Sequence, residues 1–300
     1  MFSHACPGRG RSPTLVRTLV VALTGAALLG SGAGSVGAQR VGAPQLPDSA
    51  AVVTPTPPAG PLLRRGEVAR AGAALVVAAA LLPFDERITA AFRASGPQGS
   101  TLLRDAARGF DALGGPGSVA LGAGAYVLGR LTERPHVAAL GLHALEAVAA
   151  GEAVTVTLKT VVGRQRPYVD HADADDVAPG RGLLHGERAS FPSGHTTAAF
   201  ALATAATIET HRWWPHATRV VAPVAYGAAG LVGLARVYGA EHWASDVVAG
   251  ATVGSLAGVA AERYVRARPR NRVERWLGVS VVPRVAPAGR ALALVWSAGR

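Results

Sequence analysis

From Arg64 onward the chain runs in long apolar stretches with short polar interruptions, punctuated at Pro83, Gly96-Pro97, Gly114-Gly115-Pro116 and Pro135. This spacing predicts helices over 66–82, 85–94, 100–112, 117–131 and 135–163. A polar, acidic loop from about 167 to 191 follows, then three more predicted helices over 193–212, 216–238 and 242–267. From Leu277 the pattern alternates, as in Ala291-Leu292-Ala293-Leu294-Val295-Trp296, and carries Pro283, Pro287 and Gly289, which suggests a short C-terminal β-hairpin. No internal repeat of solenoid or propeller period is present. The pattern therefore reads as an all-α helical bundle with a short hairpin at its end.

The residues before Arg64 divide in two. Arg9, Arg11 and Arg17 precede an apolar run from Leu19 to Leu29 and small residues ending at Ala38, the layout of a secretory signal peptide over 1–38. Cleavage there would remove Cys6, the only cysteine, and with it any disulfide chemistry. Pro44, Pro47, Pro55, Pro57, Pro58 and Pro61 mark 39–63 as an extended linker, leaving 64–272 as the helical domain and 273–300 as a C-terminal extension. An exported chain would sit in the periplasm or cell envelope, with any membrane-integrated form keeping its active site on the outer face. The uncharged apolar stretches Val220–Ala235 and Val247–Ala261 fall short of the roughly 20 residues a spanning helix needs, so the pattern leans to a soluble or peripherally bound domain.

Composition sharpens the picture in two ways. Ala and Val dominate an apolar fraction of 49%, glycine adds 37 residues, and aromatics make up 5%, which suits closely packed helices. The formal charge of +11 is almost wholly arginine, because Lys159 is the single lysine. Such charge fits nucleic acid, anionic lipid or phosphorylated substrates. The arginines are scattered, and their one run, Arg263, Arg266, Arg268, Arg270, Arg272 and Arg275, holds a single interleaved aromatic, Tyr264, too little for a stacking platform, so a nucleic-acid partner is not expected.

Three short segments carry phosphate-handling groups. Lys159 and Arg166 stand seven apart, two turns on one face if the helix continues to Pro167. Alone, this pair also reads as a cationic helix end neutralising its dipole. Ser193-Gly194-His195 opens a predicted helix, where Ser193 caps, Gly194 lets an anion reach exposed backbone N–H groups, and His195 could donate a proton to a leaving oxygen. Alone, His195 also reads as a surface histidine after an ordinary cap. In the third, His242 and Asp246 are i and i+4 at a helix start, so a carboxylate could fix the imidazole tautomer and free the other nitrogen for attack on phosphorus. Arg236 adds a second planar fork for phosphate oxygens, although a His/Asp pair at this spacing also serves as a plain cap.

Together the segments resemble the signature of the type 2 phosphatidic acid phosphatase and vanadium haloperoxidase superfamily: Lys159, six residues, Arg166-Pro167; Pro192-Ser193-Gly194-His195; then Arg236, five residues, His242, three residues, Asp246. The sole departure is Ala235, where that family usually has serine. The motifs cover 159–246, and the helical pattern extends the resemblance over about 66–267. The resemblance implies that Lys159, Arg166, Arg236, Ser193 and Gly194 bind phosphate, that His242 attacks to form a phosphohistidine, that Asp246 holds it, and that His195 protonates the leaving group. It implies metal-free hydrolysis of a phosphomonoester, a lipid phosphate or an isoprenoid pyrophosphate. The alternatives are a vanadium-dependent haloperoxidase, in which His242 would coordinate vanadate as cofactor, and a non-catalytic anion- or lipid-binding envelope protein. Asp170, Asp173, Asp175 and Asp176 lack the glycine and distal glutamate of a calcium loop and read as a solvated loop. The surface that selects the substrate is expected in the helices from 66 to 140, where no motif speaks. Nothing in the pattern addresses oligomeric state.

Overall fold

The computed structural model describes residues 60–182 and 184–267, and the backbone of two strands at 279–286 and 289–296. The expected signal peptide and all but the last residues of the predicted linker lie outside the described residues. Helix α1 spans Arg65–Leu81, α2 Asp85–Arg93, α3 Ser95–Gly99, α4 Thr101–Leu113, α5 Pro116–Leu131, α6 Pro135–Val162, α7 Gly194–Trp213, α8 Thr218–Tyr238 and α9 Ala244–Ala267. Each predicted helix is present with its ends within two residues of expectation, and the short α3 is an addition. Strands β1, Val279–Ala286, and β2, Gly289–Trp296, pair antiparallel with Val279 opposite Trp296.

One helix end differs in a way that matters. Helix α6 stops at Val162 because Gly163 adopts a left-handed conformation, φ 62°, and returns its N–H to the Lys159 carbonyl. Arg166 therefore lies in the following loop, and the expectation that it shares a helical face with Lys159 is corrected. Pro167 marked a stop, but Gly163 had already made it. Likewise α9 begins at Ala244, so His242 sits in the turn before the helix while Asp246 is in its first turn.

Helix α7 is the central element, packed by α6, α8 and α9. Small residues make that packing close. Gly250, Gly254 and Gly258 recur every fourth residue along α9, and a Cβ on Gly258 would stand 2.6 Å from the Thr204 Cβ of α7. Ala144, Ala147 and Val148 of α6 meet Ala198, Ala201 and Ala205 of α7 and Ala261 of α9 in one core cluster. Ala199 and Ala203 of α7 meet Ala229 and Val232 of α8 in another. At the end of α9, Arg263 donates to both Glu67 carboxylate oxygens and to the Leu62 carbonyl, tying it to the start of α1.

Four stretches are long and apolar enough to cross a membrane: Arg65–Gly99, Pro135–Val162, Thr218–Tyr238 and Ala244–Ala267. Large apolar side chains face outward on the bundle, among them Val76 (69% exposed), Val220 (66%) and Val224 (65%). The lean toward a soluble domain is thus corrected. Uncharged runs understate helix length here, because the charged residues that interrupt them, such as Arg236 and Asp246, belong to helix ends that turn inward.

Candidate active site

The end of α6, the loop from 163 to 193, the start of α7, the end of α8 and the start of α9 meet at one end of the bundle. Asp246 is their hub. Its Oδ1 accepts from Arg164 Nη1 at 2.7 Å, its Oδ2 from Ser190 Oγ at 2.5 Å and from the Trp243 N–H at 3.0 Å. The Asp246 carbonyl accepts the Ser193 N–H at 3.1 Å, which pins the start of α7 to the start of α9. Gly250 permits this closeness, since a Cβ there would stand 2.5 Å from the Ser193 carbonyl oxygen.

His242 is 1% exposed, and its Nδ1 lies 3.7 Å from Asp246 Oδ2. That distance brings imidazole and carboxylate together without a hydrogen bond, and Nδ1 has no hydrogen-bond partner. Burial pushes the imidazole pKa down to about 3, so His242 is neutral and nucleophilic across the physiological range. Lys159 and Arg166 are close enough to act on its charge.

The cations cluster beside it. Lys159 Nζ donates to the Ala189 carbonyl. Arg166 Nη1 donates to Glu241 Oε2 at 2.7 Å, and Arg236 Nη2 stands 3.2 Å from the same oxygen while its Nη1 donates to Asp111. One carboxylate thus lies between two guanidinium forks, where a phosphate would satisfy the same donors. The Nε atoms of both arginines are buried and have no hydrogen-bond partner.

Ser193 caps α7 as expected, accepting from the Thr196 N–H and hydroxyl. A Cβ on Gly194 would meet the Glu152 carboxylate at 3.4 Å, and Glu152 Oε1 is buried with no hydrogen-bond partner. His195 follows in the first turn of α7, its pKa lowered by burial first and by the Arg236 charge second. The turn between α4 and α5 covers it: a Cβ on Gly114 would stand 2.8 Å from His195 Cβ, and one on Gly115 would stand 3.2 Å from its ring. Gly115 also holds φ at 46°, a conformation that favours glycine.

The structure therefore places Lys159, Arg166, Ser193, Gly194, His195, Arg236, His242 and Asp246 at one end of the bundle. Sequence reasoning missed their supports. Arg164 is 3% exposed and joins Asp246 and Ser245 to Asp85, 2.9 Å from its Nη2, with its guanidinium 5.6 Å from the Trp243 ring. Asp85 and Asp111 come from the helices where no motif was visible. Asp85 looked like an ordinary acidic residue in a first helical turn. Ala235, the departure from the family pattern, lines an apolar cavity of about 270 Å³ with Phe92, Phe110, Leu231 and Tyr238, so a hydroxyl there would face hydrocarbon.

The three motifs come together at one end of a helical bundle, and residues 140–270 match the family model of the PAP2 superfamily. Over 72 residues the chain is 42% identical to a lipid A 1-phosphatase of Porphyromonas gingivalis, a match covering 23% of this chain and 15% of the relative's length. Among solved structures, a transmembrane PAP2 type phosphatidylglycerolphosphate phosphatase from Bacillus subtilis is similar, at 24% identity and a TM-score of 0.48, over 69% of this chain and 98% of that one. LpxE of Aquifex aeolicus is similar at 25% identity and a TM-score of 0.41, over 55% and 88% of the two chains.

Proposed function

We propose that the protein is a membrane-integrated phosphoric ester hydrolase that removes phosphate from a lipid phosphate through a phosphohistidine on His242. The observation that carries this reading is the buried imidazole of His242, 3.7 Å from Asp246, at the end of the bundle that also holds Lys159, Arg166 and Arg236. Three cations at one place favour a trianionic or dianionic head and oppose a divalent metal, so the chemistry is read as metal-free at this centre. In this reading the substrate phosphate takes the place of the Glu241 carboxylate between Arg166 and Arg236.

Since Nδ1 of His242 faces Asp246, the attacking atom is Nε2. It forms the P–N bond as the P–O bond to the leaving group breaks, and His195 gives its proton to the departing oxygen. Positive charge on the imidazole then draws the Asp246 carboxylate into a hydrogen bond, since such contacts tighten during reaction. Water, deprotonated by His195, attacks phosphorus, breaks the P–N bond and releases phosphate. The fixed donors meet charge on the equatorial oxygens throughout.

A lipid rather than a soluble ester is favoured by an apolar groove of about 540 Å³ between α1, α7, α8 and α9, lined by Ala74, Phe200, Val247, Leu256 and Val259. The test is phosphate release from a lipid phosphate in mixed micelles by the parent and by His242→Ala. The variant should lose about 10³-fold or more, the scale of removing a nucleophile. A variant as fast as the parent would sink the assignment. Parent quenched in alkaline detergent during turnover should also carry base-stable phosphate on histidine that is released on acid treatment.

A further inference from the structure

We propose that His143, Glu209 and Glu262 form a second site, for a divalent transition-metal ion, at the end of the bundle remote from the phosphate centre. Along α7, Glu209 is fourteen residues beyond His195, about 21 Å at the helical rise, and along α9, Glu262 is sixteen beyond Asp246, about 24 Å. The site is therefore independent of the hydrolase reading.

The geometry points to an ion. His143 is 6% exposed, Glu209 0% and Glu262 1%, one from each of α6, α7 and α9. His143 Nδ1 stands 3.0 Å from Glu209 Oε1 and 3.8 Å from Glu262 Oε1, and one ligand atom from each of the three lies within 4.8 Å of the others. Ligand atoms around a tetrahedral ion with bonds of about 2.1 Å stand about 3.4 Å apart, between those two values. Each carboxylate has its other oxygen held from outside: Trp213 Nε1 donates to Glu209 Oε2 at 2.8 Å, and Arg266 Nη2 donates to Glu262 Oε2 at 3.4 Å. Both Oε1 atoms are thereby aimed at the imidazole, as supporting hydrogen bonds orient ligands in metal sites. Arg212 approaches Glu209 Oε1 only to 3.9 Å, from a side chain that is 45% exposed.

The independent observation is Glu262 Oε1, which is buried and has no hydrogen-bond partner. A buried carboxylate oxygen left unsatisfied is costly, and the cost grows if α6 and α9 lie in a bilayer, as their length and hydropathy allow. One imidazole with two carboxylates suits zinc and its neighbours in the first transition row. Filling the site would staple three helices of the bundle where they are furthest from the catalytic contacts.

The experiment strips the detergent-purified parent with a chelator, adds Zn²⁺, removes free metal and measures retained zinc by mass spectrometry, alongside the unfolding temperature. The expected result is about one zinc per chain and a higher unfolding temperature in the loaded protein. Glu262→Gln and His143→Gln should lose both while keeping the parent's rate of phosphate release, whereas His242→Ala should retain the ion. Should either variant fail to fold, the parent decides alone. A parent that retains no zinc, or variants that retain as much as the parent, would mean that the cluster shares protons instead of a metal.

Discussion

At the scale of single residues, the chemistry rests on two histidines with opposite tasks, His242 fully buried and His195 partly so. His242 must be neutral to attack, and burial keeps it so down to about pH 3. His195 must be protonated to serve as acid, yet burial and Arg236 lower its pKa from 6.5. Its acid form is therefore present below that lowered value and is lost as pH rises through it. The rate at low substrate should fall with rising pH along a limb centred below 6.5, with no second limb near neutrality from His242. His195→Asn should abolish this limb for an alkyl phosphate and spare much of the rate for an aryl phosphate, whose leaving group needs no proton. An unchanged pH profile would remove His195 from the acid role. The motif residues were legible because their types and spacing are unusual together. Arg164 was not, since among 30 basic residues it looked like one more arginine, and only folding shows it joining Asp85 to Asp246. A lysine cannot bridge both carboxylates as a planar fork does. Arg164→Lys should let Asp246 drift and lower kcat by about 100-fold, the penalty for misplacing a reacting group by an ångström, while KM changes little. Equal losses in kcat and KM terms would instead indicate global damage.

Among the helices and turns, close approach between small residues decides where those side chains end up. Helix existence was readable from apolar periodicity, and termini from Ser193, Pro116 and Pro135, whereas the stop at Gly163 was not. What periodicity could not show is that the turn between α4 and α5 folds over His195, because Gly114-Gly115-Pro116 reads as plain punctuation until its neighbour is known. At Gly114 the new methyl would sit 2.8 Å from both His195 Cβ and Val232 Cγ1, so something must move. Gly114→Ala should therefore push the imidazole and slow turnover more for alkyl than aryl phosphates, with an unfolding temperature near the parent's. Gly254 makes the opposite contrast. Its missing side chain lets α9 approach the backbone of α7, where a Cβ would stand 2.2 Å from the Thr197 carbonyl oxygen, and Gly254→Ala should destabilise the fold by about 1–3 kcal/mol through overpacking. Thermal unfolding in detergent separates the two: a large shift for Gly254→Ala and a small one for Gly114→Ala.

For the whole molecule, the question is which solvent surrounds the bundle. An ordinary water-soluble core would bury its largest apolar side chains, but here the buried core is chiefly alanine, while Val76, Leu102, Val161, Val220 and Val224 point outward. That inversion is expected when lipid tails are the solvent, because packing between small residues then replaces the hydrophobic effect as the force between helices. Composition hinted at it, but side-chain direction was needed to tell an Ala-rich interior from an Ala-rich surface. Trp213 and Trp214 reinforce the reading: they sit where α7 ends, half-exposed, with His136 stacked on Trp213 at 3.8 Å, as aromatic residues do at a membrane interface. The protein should sediment with membranes after lysis, stay there through an alkaline carbonate wash, and need detergent for extraction. Once extracted, it should hydrolyse a lipid phosphate in mixed micelles faster than a water-soluble monoester at equal concentration, because the groove beside α1 and α9 has hydrocarbon to hold only in the first case. A chain recovered in the soluble fraction and monodisperse without detergent would overturn the membrane reading and leave the outward valines unexplained.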